Sequence, residues 1–428
     1  MKRTYSEMKD SGVEWIGEIP SGWEIVPAGK AFSETKDKNT ESRYDNPFSF
    51  KYGKIVNKKI GHIDEIQKIT LQTYTIVKPS TIMVNGLNLN YDFVTQRVAI
   101  VNDFGIITSA YLAINPNKKF LFPRFAMYML KSFDYQQVFH GCGNGIRKTL
   151  KFQDFKEIFI ILPSISEQTA ISDYLDEKCA EIDSIISEAK NCIEEYKQWK
   201  SAIIFEAVTN GLDPNAEMKD SGVEWIGEIP KKWEVKKIKY IFYVVSGATP
   251  KSDNCDYWNG NIIWITPADY KTLDKYIKSG SRNISKLGLQ SCSATLVPSG
   301  SIIFSKRAPI GAVAVAEVDL CTNQGCLSCV PRQGAHSIFY YYVMSIATED
   351  FELKGTGTTF KEISATSFND SLLPFPSFSE QTTIANYLDE KCARIDEVIS
   401  EKEALISDLE LYKKSLIYEV VTGKVKVS

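Results

Sequence analysis

Long apolar runs are missing from these 428 residues: no stretch of 18 apolar residues is available to span a bilayer, and no basic-then-apolar leader opens the chain. The phosphate-cradling pattern GxxxxGK(S/T) is absent as well, which excludes a nucleotide-driven motor of that class. Histidine is scarce, with three residues (His62, His140, His336) far apart in sequence, so a His-built metal site is not expected. Excess charge of either sign is also lacking: 50 Lys+Arg stand against 53 Asp+Glu, a formal net charge of −3. Nine cysteines fit a reduced compartment, where a free thiol behaves as a small buried hydrophobe. Cys321, Cys326 and Cys329 offer three thiols without an evident fourth ligand in a strand-like stretch, and are read as buried thiols rather than a zinc site. These absences lead to the expectation of a cytoplasmic chain that does not contact a membrane.

What is present is a duplication. The thirteen residues MKDSGVEWIGEIP occur at Met8–Pro20 and again at Met218–Pro230. A second pair, SEQTAISDYLDEKCAEID from Ser166 and SEQTTIANYLDEKCARID from Ser379, lies further on. The period is far longer than the roughly 20–50 residues of solenoids and propellers, so each half is domain-sized. Past Trp23-Glu24 and Trp233-Glu234 the likeness fades, then returns at SEQT. The chain therefore divides into 1–20, a variable block 21–165, a matched region 166–230, a second variable block 231–378, and a matched region 379–428.

Charge follows this division. Block 21–165 carries 19 Lys+Arg against 12 Asp+Glu, net +7, and block 231–378 carries 16 against 12, net +4. Segment 166–217 has 4 against 12, net −8, and segment 379–428 has 7 against 10, net −3. Basic surfaces attract phosphate backbones through counterion release. The blocks that differ are thus the blocks suited to a polyanion, and a tandem pseudo-dimer suits a two-part target such as duplex DNA.

In the matched segments, heptad steps pick out Leu175, Ile182, Ala189, Tyr196 and Ile203, interleaved with Cys179, Ile186, Ile193 and Lys200. The second copy gives Leu388, Ile395, Lys402, Leu409 and Leu416, interleaved with Cys392, Ile399, Ile406 and Lys413. Alternating steps of three and four over four heptads predict a long helix with a coiled-coil seam. Ser166 and Ser379 supply cap chemistry at the start, and Gly211 and Gly423 close the helices. Two such helices paired with each other would act as a ruler between the blocks.

The blocks read as mixed strand and helix. In the first, TIMVN (81–85), FVTQRVAIV (93–101) and IITSAYLAI (106–114) have strand character, with a helix over 124–139. In the second, SIIFS (301–305), GAVAVA (311–316) and LSCV (327–330) precede a helix over 337–351. Between strands lie the polar loops NGLNLNY (85–91) and KRAPIG (306–311). Asn and Gln suit adenine edges, and Arg and Lys suit guanine edges. Candidate DNA-contacting residues are therefore Asn85, Asn88, Asn90, Tyr91, Gln96, Arg97, Lys306, Arg307, Asn323 and Gln324. Arg147 and Lys148 after GCGNG (141–145), and Lys361 after GTG (355–357), join them as candidates beside glycine-rich turns. For any single loop residue, an ordinary turn punctuated by Gly and Pro remains the alternative.

Several ordered motifs together resemble the specificity subunit of Type I restriction–modification systems over essentially the whole chain. They are SGVEWIGEIP followed by Trp, present twice, SGATPKS (246–252), YWNGNIIWI (257–265), RAPIG (307–311), TNQG (322–325), and the PS-x-SEQ entries to both long helices. The resemblance implies an α+β chain of two mixed α/β target recognition domains joined by two long helices in an antiparallel coiled coil, with an internal pseudo-twofold repeat. It implies that each variable block reads half of a bipartite site on double-stranded DNA. It implies docking of two modification (methyltransferase) subunits and of restriction motor-nuclease subunits. S-adenosylmethionine and ATP/Mg are then expected in those partners, and no cofactor in this chain. It also places the N-terminal MKDSGVEWIGEIP as the partner of the second helix. The first block departs from the family pattern, lacking an SGATP-like entry and an RAPIG.

A DNA methyltransferase of its own would need a Gly-rich cofactor loop and an Asp/Asn-Pro-Pro-aromatic tetrapeptide, and neither occurs; Asp45-Asn-Pro-Phe48 has a single Pro. The chain is thus read as a non-catalytic recognition subunit. Two rivals stand beside it: a coiled-coil scaffold that binds proteins alone, and an enzyme with an unfamiliar site.

Overall fold

A computed structural model describes residues 4–51, 53–58, 65–94, 96–142, 148–270, 275–357 and 361–427. Two helices dominate it, Ile165–Asn210 and Phe378–Val421. At 46 and 44 residues they are ~69 and ~66 Å long at 1.5 Å per residue. Lys413 Nζ donates to Asp183 and Lys200 Nζ to Asp396, each at 2.6 Å. Numbering falls along one helix as it rises along the other, so the pairing is antiparallel. Leu175, Ile182, Ile186, Ile193, Leu388, Ile395 and Ile399 are buried, and Ile406 is half-buried against the apolar core.

The cap residues are not those expected. Ser164 and Ser377, two positions earlier than Ser166 and Ser379, precede the helices. Ser164 Oγ accepts from the Glu167 amide while Glu167 Oε2 accepts from the Ser164 amide, and Ser377 and Glu380 repeat the arrangement. This is the S-x-x-E capping box, in which two orphan amides are satisfied reciprocally. Gly211 and Gly423 end the helices at φ of 76° and 74°, the left-handed conformation that a β-carbon disfavours.

The next residue of each entry motif is structural too. Gln168 is fully buried; its Nε2 donates to the Phe120 and Pro163 carbonyls and its Oε1 accepts from the Phe122 amide. Gln381 does the same with Gly334, Pro376 and His336. A buried amide so used fixes the start of the helix to the loop ahead of the block's own helix. Gln381→Leu keeps the volume but strands three backbone groups, and about 3 kcal/mol of stability should be lost in urea titration; an effect below about 0.5 kcal/mol contradicts that role.

The chain forms two compact units, Met1–Lys190 with Glu403–Ser428, and Asn191–Lys402, so each unit takes part of both long helices. In the first unit MKDSGVEWIGEIP is a hairpin of Met8–Asp10 and Glu18–Pro20, with Ile16, Ile19 and Trp23 packed on Leu416, Ile417, Val420 and Val421. Tyr418 Oη donates to the Trp15 carbonyl at 3.1 Å, and Lys424 Nζ to that of Ile16 at 2.6 Å. The second unit repeats this with Met218–Asp220 and Glu228–Pro230, whose Ile226, Ile229 and Trp233 pack on Ile204, Ala207 and Val208. Trp23 and Trp233 donate from Nε1 to Glu167 and Glu380, each at 3.2 Å. The N-terminal segment therefore caps the end of the second helix just as its copy caps the first.

Both variable blocks have the same scaffold. In the first, one antiparallel sheet runs Phe32–Glu34, Leu112–Pro116, Ile82–Val84, Val98–Ile100. In the second it runs Phe242–Ser246, Cys326–Pro331, Ile302–Lys306, Ile310–Ala316, with Tyr276–Ile277 added in parallel at the edge. A further sheet in each contains one parallel pair, Pro47–Lys51 with Gly105–Ile107 and Trp258–Ile265 with Leu320–Thr322. Glu24–Pro27 with Phe159–Leu162, and Glu234–Lys237 with Leu372–Phe375, close each block at its base. Tyr128 Oη on helix Pro123–Tyr135 donates to Asp176 at 2.7 Å, and Tyr342 Oη on helix Ser337–Ile346 to Asp389 at 2.7 Å. One tyrosine per block thus ties it to its long helix.

Several element boundaries differ from the sequence expectation. Strand structure begins at Val98, not at Phe93, because Arg97 folds the preceding residues into a loop. The stretch 106–114 divides between two strands, Gly105–Ile107 and Leu112–Pro116. The helix expected over 124–139 stops at Tyr135, followed by a 3-10 turn Val138–Gly141, and that over 337–351 breaks after Ile346 into a second helix Thr348–Leu353.

Candidate nucleic-acid interface

In the second block, four separated motifs meet beyond the ends of the central strands. Gly247 lies so close to the chain at Thr322 and Asn323 that a β-carbon there would stand 2.1 Å from the Asn323 carbonyl oxygen. Asn323 Oδ1 accepts from the Gly325 amide at 2.8 Å, fixing the turn, and exposed Gln324 accepts from Thr249 Oγ1. Gly325 packs beside the Arg307 guanidinium, and its carbonyl accepts from the Lys306 amide at 3.0 Å. Lys306 Nζ and Arg307 Nη1 converge on Glu362, at 2.8 and 3.3 Å. The hydrogen bond from Lys306, with the charge of both cations, holds the Glu362 carboxyl below its ordinary range. Lys361, beside it, is exposed. Lys306, Arg307, Asn323, Gln324 and Lys361 therefore occupy one neighbourhood, oriented by Glu362 and Thr249, two residues that sequence reading did not single out.

The first block has a different device in the same topological place. The connection between the third and fourth strands of the sheet is Arg307–Pro309 in the second block but spans 85–97 in the first. Asn85 Oδ1 accepts from the Leu87 amide, Asn88 adopts a φ of 54°, and Asn90 Oδ1 accepts from the Lys148 amide. Asn88, Tyr91 and Gln96 are exposed, and Lys148 is half-buried. Arg147 lies outside the described residues.

Arg97 corrects the sequence reading. It is fully buried, and its guanidinium donates to the carbonyls of Asn85, Leu87 and Asp92 while its amide donates to Asp134 at 2.7 Å. A side chain with no exposed surface and three loop carbonyls in its grip does not reach a base edge; it orders the loop. Burial pushes the Asp134 carboxyl up to about 6, against the pull of Arg97. The isolated apolar alternation of FVTQRVAIV hid this role, and the one signal for it is an arginine among strand-forming residues.

Cys321, Cys326 and Cys329 sit in three different apolar clusters, and burial pushes the Cys321 and Cys326 thiols up to about 12. Among the described residues no group of three or more His, Cys, Asp or Glu is arranged to hold a metal ion, and no helix is long and apolar enough to cross a membrane.

Residues 230–406, which span the second block and the first part of the second long helix, match the family model described as the Type I restriction modification DNA specificity domain. Over 181 residues the chain is 40% identical to the Type I restriction enzyme MjaIX specificity subunit of Methanocaldococcus jannaschii, covering 42% of this chain and 41% of that protein. It is 24% identical to the putative MjaX specificity subunit of the same organism over 96% of both chains. Residues 230–406 thus carry a Type I restriction modification DNA specificity domain. The match to the MjaIX subunit spans about two fifths of that protein, whereas the weaker match to the MjaX subunit runs through both halves of this chain. A chain of a solved type I restriction–modification assembly superposes with a TM-score of 0.75 at 16% identity, covering 94% of this chain and 98% of that chain. The HsdS subunit from Thermoanaerobacter tengcongensis superposes at 0.52, also at 16% identity, over 95% and 98%. The duplicated α+β fold with two long helices is thus shared with these two solved chains.

Proposed function

We propose that this chain reads a bipartite site on double-stranded DNA, block 21–165 taking one half and block 231–378 the other, and that the paired helices set the gap between them. The observation that carries the reading is the pairing of sameness and difference. The two blocks repeat one strand order, yet the connection at the same place is thirteen residues long in one and a compact Lys–Arg–Glu cluster in the other. A scaffold held alike with unlike loops suits two readers of different sequences. In this account the chain itself performs no chemistry in the cytoplasm. It delivers two modification subunits, which bring S-adenosylmethionine, and restriction motor-nuclease subunits, which bring ATP and Mg, to the site it has read. The acidic matched segments are the surfaces left for those proteins, since they repel DNA.

Exchanging 231–378 for the corresponding block of another specificity subunit should change one half-site in the methylation pattern and leave the other half-site and the gap intact. A change in both half-sites would contradict the division of labour. The protein-only scaffold predicts no salt-dependent DNA affinity at all, whereas contacts to several phosphates should weaken binding by roughly 10³ or more between 50 and 200 mM salt.

A further inference from the structure

Residues 85–94 of the 85–97 connection hold apolar side chains out into solvent. Val94 is 92% exposed, Tyr91 67% and Phe93 56%. Exposed single apolar residues are ordinary, but three within the four positions 91–94, held by the contacts of their neighbours, are not. The order is specific. Leu89 is fully buried in the core of the first unit and pins one limb, and Arg97 binds the carbonyls of residues 85, 87 and 92 from below. Asp92 Oδ1 accepts from the Val94 amide at 3.1 Å, shaping the tip. His140 Nε2 lies 3.0 Å from the Asp92 carbonyl, which can only accept, so this nitrogen carries the proton; the imidazole ring stacks on Phe93 at 4.8 Å. The loop thus presents its tip already in shape, with the entropy of ordering met within the fold.

Resting on the DNA-reading function above, we propose that Tyr91, Phe93 and Val94 form an apolar wedge that enters the first half-site and unstacks one base step. Apolar side chains pushed between base pairs kink a duplex, and the cost depends on the step being opened. Part of the first half-site is then read as deformability, at a step that no hydrogen-bonding side chain needs to touch. The surrounding block, net +7 by its 19 Lys+Arg against 12 Asp+Glu, favours a polyanion over an apolar protein partner. In the second block the corresponding connection, Arg307–Pro309, is too short for such a tip, so the wedge belongs to one half-site alone.

The test uses the full chain complexed with its modification subunits and duplexes carrying 2-aminopurine at each position of the first half-site, apart from the methylated base. Binding of the wild-type complex should raise the fluorescence at one step severalfold. The Tyr91→Ala/Phe93→Ala/Val94→Ala variant should lose that rise and bind about tenfold more weakly, and Val94→Ala alone should show part of both effects. The binding deficit should shrink on a duplex mismatched at that step, where unstacking is already paid, an outcome that mere loop damage does not produce. Silent probes with intact preference for the bipartite site overturn the wedge alone, as does a deficit equal on matched and mismatched duplexes. If the wild-type complex shows no preference for a bipartite site, the DNA-reading account falls and the wedge falls with it.

Discussion

Replacing Arg97 by methionine is expected to destabilise the first unit by about 3–5 kcal/mol, because the change leaves three loop carbonyls without their donor and takes the compensating charge from beside the buried Asp134 carboxyl, which keeps its bond from the residue 97 amide. The guanidinium has no exposed surface, so water does not substitute for it. Urea unfolding should show the loss in the first of two transitions, with the second unit unaffected. Adding Asp134→Asn removes the uncompensated acid and should recover part of the loss. The same pair predicts a pH dependence. Burial raises Asp134 from 3.8 to about 6 in the folded chain, so between about pH 4 and 6 the native state binds more protons than the unfolded state. The stability contributed by this group is fully present below pH 4 and is lost as pH rises through 6, and Asp134→Asn should flatten that part of the profile. A profile that instead rises across the window would contradict the burial-driven shift.

Lengthening the helices should have the larger functional effect. One heptad added to each helix, between Asp183 and Lys200 in the first and between Asp396 and Lys413 in the second, preserves the apolar seam. Seven residues add ~10 Å, or about 3 base pairs of duplex length. Methylation at the original sites should therefore disappear, and reappear at the same two half-sites with a gap longer by about that amount. Retention of the original gap would mean that the helices do not set it.

The legibility of these features in the sequence followed their physical origin. The long helices were readable because a heptad seam is a local periodicity, and the buried Leu175, Ile182, Leu388 and Ile395 lie where the period puts them. Their caps were misplaced by two residues because SEQ offers a serine next to the acid, while the capping box needs the acid three positions on, which selects Ser164 and Ser377. The loops were least readable. Arg97 has the chemistry of a base-reading residue, and only the three carbonyls folded around it, brought there by tertiary structure, turn it inward. Glu362 was overlooked for the converse reason: nothing local to it announces that Lys306 and Arg307 will arrive from 55 and more residues away. The shared order of the two blocks was legible in outline, since three strand-like stretches precede a helix in each and 81–85 and 301–305 fall at the same place in their sheets, whereas the strand pairing itself is set by tertiary contacts.

The most direct measurement is a single-molecule map of methylated bases in the host genome, with the gene intact and deleted. The account predicts that deletion abolishes methylation at one asymmetric two-part motif with a fixed gap and leaves all other methylation in place. If the motif lost on deletion is a single uninterrupted sequence, or if the intact and deleted maps are identical in cells that express the modification subunits, a bipartite reader with a helical ruler is the wrong description of this chain.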